Sequence, residues 1–83
     1  MTITLADLLP GQSATVLGIK QNASEGHKVR KYLAMGLVPG VEITLVQRFP
    51  AYVFELGYSQ FAIDRELASV VLVKVEEQGD DNA

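Results

Sequence analysis

The segment Tyr32–Gly40, YLAMGLVPG, constrains the fold of this chain most, because its last five residues contain two glycines and a proline. Gly36 follows a predicted helix over residues 24–35, and glycine readily takes the left-handed conformation in which helices end. Pro39 and Gly40 are the central residues expected of a type II turn. The segment therefore predicts the end of a helix, a tight turn and the start of a strand.

These glycines do not predict a phosphate site. They come after a helix, whereas free N–H groups and partial positive charge are found at a helix N terminus. The sequence also contains neither G-x-x-x-x-G-K-[S/T] nor G-x-G-x-x-G. The pattern therefore argues against a nucleotide-binding loop.

Short alternating segments on both sides of the turn predict a mainly β protein. The predicted strands are residues 13–20, 41–48, 52–57, 59–63 and 69–76. Gly18 predicts a bulge in the first of them. Helical turns are expected at residues 4–9, capped by Thr4, and at residues 64–68, capped by Asp64. About five strands, one α-helix and short helical turns predict a small closed β-barrel.

The apolar residues predict which side chains form the core. Leu5, Leu8 and Leu9 have helical spacing and should close one end of it. The helix should bury a stripe of Val29, Tyr32 and Leu33. The aromatic residues of the strand meander are assigned to the same core: Tyr52, Phe54, Tyr58 and Phe61.

Composition sets limits on the class of protein. With 83 residues, the chain predicts one domain over residues 1–76 and an acidic tail over residues 77–83. It has 0 cysteines, which excludes disulfides and thiolate metal sites. The start resembles no secretory signal and no stretch reaches the roughly 18 apolar residues of a membrane span, so we expect a cytoplasmic protein without membrane insertion. The net charge of −3 argues against a nucleic-acid partner.

Few side chains form a pattern that predicts chemistry. His27 is the 1 histidine, with no second ligand at metal-site spacing, and we interpret it as solvated. The serines lack a nucleophile-elbow context. Asp64 and Glu66 are explained by a turn cap and a solvated acid. We therefore predict no catalytic residue, no metal site, no cofactor and no enzymatic activity.

One charged cluster remains. Lys28, Arg30 and Lys31 supply three of the 7 basic residues within four positions of the predicted helix. A solvated helix face explains them, and so does a surface for a partner protein, because methionine and apolar groups beside arginine are typical of interfaces. The predicted partner-binding residues are Lys28, Arg30, Lys31, Met35, Leu37 and Val38.

Three spaced motifs together resemble the FeoA family, the ferrous iron transport protein A group. They are Leu5-x-x-Leu8-x-Pro10-Gly11, then Lys31-x-Leu33-x-Met35-Gly36-Leu37-x-Pro39-Gly40, then Ala62-Ile63-x-Arg65-x-x-Ala68-x-x-x-Leu72-Val73. The middle motif is the most specific, and the resemblance covers residues 3–75. Many members have a longer link between the two middle strands than Phe49–Tyr52 of this chain, so a partner contact made by that loop elsewhere is not expected here.

The resemblance implies an SH3-like β-barrel and a small cytosolic accessory to FeoB, a membrane ferrous iron transporter with a GTPase domain. It implies action by protein contact with the cytosolic part of FeoB. The alternative is an SH3-like module of a metal-dependent transcriptional regulator or nucleic-acid-associated protein, because the same fold occurs there. A small enzyme is a third reading, but it needs a convergent polar pocket. The sequence is compatible with a weak homo-oligomer.

Overall fold

The computed structural model describes residues 2–20, 32 and 34–75, and these form one antiparallel sheet of six strands. The strands are β1 (Thr2–Thr4), β2 (Ser13–Ile19), β3 (Glu42–Gln47), β4 (Tyr52–Leu56), β5 (Ser59–Ile63) and β6 (Val71–Val75). Their order across the sheet is β1-β6-β2-β3-β4-β5. A 3-10 turn, Leu5–Asp7, follows β1, and a short helix, α1 (Arg65–Ala68), precedes β6.

The prediction of a mainly β fold is confirmed, but the prediction of a closed barrel is wrong. An additional strand, β1, pairs with β6, so β1 and β5 become two separate edges of the sheet. Two side-chain hydrogen bonds join the β4 side of the sheet to the 3-10 turn that follows β1. The hydroxyl of Tyr52 in β4 donates a hydrogen bond of 3.3 Å to the carbonyl of Ala6 in the 3-10 turn. Arg48 Nη2 donates to the same carbonyl at 3.3 Å.

Two irregularities in the strand pairing coincide with exposed apolar side chains. The register of β2 against β6 shifts between Val16 and Gly18, which confirms the predicted bulge. The register of β3 against β4 shifts between Leu45 and Gln47. The extra residues are Leu17 and Val46, and both are exposed large hydrophobic residues. At each bulge, two residues of one strand lie opposite one residue of its partner.

The core is made by the inward faces of the strands, with the 3-10 turn and α1 at its ends. Its fully buried large side chains are Leu5, Leu8, Val16, Tyr32, Leu37, Ile43, Leu45, Phe54, Val71 and Val73. The predictions for Leu5 and Leu8 are confirmed, whereas Leu9 is 56% exposed because the helical turn ends before it. Val29 and Leu33 lie outside the described residues.

The prediction that Tyr58 belongs to the core is also wrong, since its side chain is fully exposed. Leu56 pairs with Ser59, which leaves Gly57 and Tyr58 as a two-residue hairpin turn. Gly57 has φ of 64°, as a primed turn requires at its first central position. Because Tyr58 lies in the turn and not in a strand, the alternation of the strands does not direct its side chain into the core.

Candidate functional site

The predicted partner-binding residues fall at the end of the helix and in the turn that follows. Tyr32 and Ala34 are helical, which agrees with the predicted helix. Lys28, Arg30 and Lys31 lie outside the described residues, as do His27 and the acidic tail. The structure therefore describes the second half of the predicted surface, Met35, Leu37 and Val38.

The helix ends at Gly36, as predicted from the sequence. Gly36 has φ of 86°, in the left-handed region. The backbone N–H of Leu37 donates to the carbonyl of Tyr32 at 3.0 Å, which is the six-to-one bond of a Schellman cap. The same carbonyl also accepts a bond from the N–H of Met35 at 3.1 Å, so two backbone donors meet it at the helix end.

The same cap corrects the prediction for Leu37. This side chain is 1% exposed, so it is a core residue and not part of an accessible surface. In a Schellman cap the residue after the glycine folds back towards the last helical turn, and here both Leu37 and Tyr32 enter the core. Met35 is partly buried against that core, and Val38 is exposed.

The turn after the cap is anchored to β2. The N–H of Val41 donates to the carbonyl of Val38 at 3.2 Å, and Gly40 has φ of 98°, as a type II turn requires. Val16 then accepts a bond from the N–H of Gly40 and donates one to the carbonyl of Val41, each at 2.8 Å. These two bonds fix the backbone of the turn to β2, which gives the exposed Val38 a defined position.

A small apolar surface results at this end of the sheet. Leu17, the bulge residue of β2, directly follows Val16, whose backbone bonds to Gly40 and Val41 of the turn, and its side chain is exposed, as is that of Val38. We call Leu17, Met35 and Val38 the turn surface. The strand alternation indicates the exposure of Leu17, because it directly follows the inward-facing Val16. The glycine that follows Leu17 indicates the bulge, because a glycine inside a strand often marks one.

The buried end of the helix is joined to α1. The Tyr32 hydroxyl donates a hydrogen bond of 3.1 Å to the carbonyl of Leu67. Burial raises the pKa of Tyr32 above its ordinary value of 10.0, and the negative charges of Asp64 and Glu66 raise it further. Asp64 in turn accepts a bond from the N–H of Leu67 at 2.8 Å, which confirms its predicted role as a cap.

The opposite end of the sheet has a second exposed apolar group. Phe49, in the connection between β3 and β4, is 86% exposed. The Arg48 guanidinium lies 5.8 Å from the centre of the Tyr52 ring, within the range of a cation–π contact. Sequence reasoning did not identify Phe49, because a loop phenylalanine next to a proline has no periodicity to indicate its exposure.

The 3-10 turn at that end is held by an acidic side chain. Asp7 accepts a hydrogen bond from the Thr4 N–H at 3.0 Å and one from the Thr4 hydroxyl at 3.1 Å. The backbone bond is the main cause of a lowered pKa for Asp7, with smaller contributions from the Thr4 hydroxyl and the charges of Arg48 and Lys20. The Asp7 carboxylate therefore stabilises the 3-10 turn.

The described residues hold no cluster of three or more histidine, cysteine, aspartate or glutamate side chains that could bind a metal ion. A shallow groove on the β4–β5 hairpin is lined by Glu55, Gly57, Tyr58, Ser59 and Gln60. Gln60 Nε2 donates to Glu55 Oε2 at 3.2 Å there. None of the helices in the described part of the chain is long and apolar enough to cross a membrane.

Comparison with known proteins gives one family. The model of the FeoA domain matches residues 3–75. A search of curated proteins finds no significant match.

Solved structures agree with this match. An iron uptake regulatory protein, FeoA, is 28% identical with a TM-score of 0.82, and the match covers 92% of this chain and 99% of that one. The zinc complex of Stenotrophomonas maltophilia FeoA is 25% identical with a TM-score of 0.77, covering 87% and 89% of the two chains. That protein is described as a prokaryotic SH3-domain protein and a candidate activating factor of ferrous iron transport.

A second kind of protein has the same fold. IdeR of T. acidophilum has a TM-score of 0.82 at 19% identity, with 90% of this chain matched to 34% of that one. At this identity the match shows the SH3-like fold alone.

Proposed function

Because the chain belongs to the FeoA family, we propose that it is an accessory protein of ferrous iron uptake that regulates the transporter FeoB by contact with its cytosolic part. The observation that carries the proposal is the family match over residues 3–75, which spans the capped helix end and the turn. The description of the S. maltophilia relative as a candidate transport activator supports the same role.

The contact is assigned to the helix and the turn surface. Val38 is exposed on a turn whose backbone makes two hydrogen bonds to Val16 of β2. Met35 lies directly before Gly36, the glycine that ends the helix. Exposed apolar groups on an ordered backbone suit an interface, because little conformational entropy is lost on binding. Leu37 is left out of the surface because it is buried. Lys28, Arg30 and Lys31 precede these residues in the sequence and would add attraction for an acidic partner surface.

Binding to the purified cytosolic domain of FeoB tests the proposal. The variant Lys28→Glu, Arg30→Glu, Lys31→Glu should bind at least tenfold more weakly than the unchanged chain. The matched control is Lys20→Glu, Arg65→Glu, Lys74→Glu, which changes the same residue types and the same net charge at exposed positions elsewhere. An equal loss of binding in both variants would show that net charge causes the effect. Unchanged binding of the first variant would show that the basic cluster is not part of the interface.

The apolar part of the surface is tested separately. Val38→Asp and Leu17→Asp should each weaken binding while leaving the fold intact, because both side chains are already exposed. Val46→Asp is the matched control, since Val46 is also an exposed bulge residue but lies in β3 away from the turn. If Val46→Asp weakens binding as much as the other two, the turn surface is not the contact.

The second candidate is a module of a metal-dependent transcriptional regulator. The observation in its favour is the fold shared with IdeR. Binding to double-stranded DNA that weakens steeply with salt would support it, because such a dependence reports contacts with phosphates. The fold alone does not decide between these functions.

A further inference from the structure

Strand β5 forms an edge of the sheet. In the sheet order it has β4 as its neighbour on one side, and the described residues place no strand on the other. It pairs with β4 along its whole length, from Leu56 opposite Ser59 to Tyr52 opposite Ile63, with no shift of register. The edge is therefore a regular strand without a bulge.

The free side of β5 presents the backbone groups of Gln60 and Ala62. The two-residue turn makes Leu56 and Ser59 a hydrogen-bonded pair, and such pairs alternate along an antiparallel ladder. Ser59, Phe61 and Ile63 consequently bond to β4. The N–H and C=O groups of Gln60 and Ala62 point away from it, and both residues are exposed.

This edge lacks the usual features that prevent strand pairing. Proteins block edges with charged residues, prolines, bulges or short strands. The sequence of β5, SQFAI, contains no charge and no proline. The other edge differs, because β1 has only 3 residues. In the described part of the chain, one edge of the sheet is therefore a strand of 3 residues, and the other is a regular strand whose outward backbone groups can accept another strand.

We propose that β5 pairs with β5 of a second copy of this chain, antiparallel, around a two-fold axis that passes through Phe61. In this register Gln60 lies opposite Ala62 of the partner subunit and exchanges two backbone hydrogen bonds with it, and the symmetry repeats the pair. Phe61 then faces Phe61 of the partner subunit in a non-hydrogen-bonded pair, where side chains are closest.

The choice of a second copy follows from the chemistry of the strand. A two-fold interface must be complementary to itself, because each residue meets the same surface on its partner. Like charges opposite each other destabilise a strand pair, and β5 has none. Phe61 is half-buried with its ring 5.6 Å from that of Phe54, so pairing extends an existing aromatic contact across the axis. The inference does not depend on the proposed function.

Sedimentation equilibrium from micromolar to millimolar concentration tests the association. The average mass should rise from the 9.0 kDa of one chain towards twice that value. Ala62→Pro should hold the mass at the monomer value, because proline removes an outward N–H and leaves the bonds to β4 in place. Ala62→Thr keeps that N–H and should still dimerise. A monomer at all concentrations, or equal dimerisation of both variants, would overturn the proposal.

Single cysteines test the register, since the chain has 0 of its own. Phe61→Cys places two thiols opposite each other, with Cα atoms about 4.5 Å apart, within the range of a disulfide. Gln60→Cys places them diagonally at about 7–8 Å, beyond that range. Mild oxidation should cross-link the first variant and not the second. Equal cross-linking of both, or none in either, contradicts the two-fold register, and this result stands even if Ala62→Pro impairs folding.

Discussion

The hydroxyl of Tyr32 donates a hydrogen bond of 3.1 Å to the carbonyl of Leu67, across 35 positions of sequence. The bond joins the end of the helix before Gly36 to α1. Asp64, the N-cap of α1, accepts a hydrogen bond from the N–H of the same Leu67. The two bonds hold one peptide segment from both sides. The helix end, and with it the turn surface, is thereby positioned relative to the sheet.

Removing this hydroxyl should destabilise the fold. Tyr32→Phe keeps the buried ring but removes the side-chain donor from the Leu67 carbonyl, which then accepts only from backbone N–H groups of Ser69 and Val70. We expect a loss of about 0.5–1.5 kcal/mol in the free energy of unfolding, the usual net value of one hydrogen bond. Urea denaturation measures it. Tyr58→Phe, at a fully exposed position, is the control and should change stability little.

The raised pKa of Tyr32 predicts a loss of stability in alkali. The folded state holds the proton more tightly than the unfolded state, so this contribution is complete below the ordinary pKa of 10.0 and is lost as pH rises from there through the higher folded pKa. Unfolding measured at a series of pH values above neutrality should show the decline. The difference in stability between the wild type and Tyr32→Phe should shrink over that window, and a constant difference would contradict the assignment.

Gly36 should tolerate substitution poorly because of its backbone conformation. A Cβ atom there would lie 3.7 Å from Leu56 Cδ1, an ordinary contact, so the cost comes from φ of 86°. Gly36→Val should lower the free energy of unfolding by about 1–3 kcal/mol. Gly36→Asn should cost less, because asparagine is several-fold enriched in the left-handed region. Chemical denaturation compares the two, and equal losses would point to packing as the cause.

The cap of α1 gives another measurable contribution. Asp64→Ala removes the acceptor that binds the N–H of Leu67 at 2.8 Å. The expected loss is about 1 kcal/mol, within the usual range for an N-cap. Asp64→Ser retains an acceptor oxygen at the cap and should recover most of the loss. If the serine variant is as unstable as the alanine variant, the cap bond is not the source of the effect.

The local turns were predictable because their determinants lie within a few residues. Gly36 closes the helix through a bond between Leu37 and Tyr32, and Asp64 binds an N–H three positions later. Two errors concern side chains in or beside these turns. Leu37 was expected at the surface and is buried, while Tyr58 was expected in the core and is exposed. Both have the apolar character of a core residue, and the backbone geometry around each decides where the side chain lies.

The amino-acid sequence by itself determined the main turns, five of the six strands and the family that the motifs indicate. Those features depend on backbone torsions and on bonds between near neighbours, which each residue type restricts directly. Only the tertiary structure decided that β1 pairs with β6 and that the sheet stays open, with β5 as a regular edge. These features depend on the pairing of distant strands, and a shift of one residue in that pairing moves side chains from core to solvent.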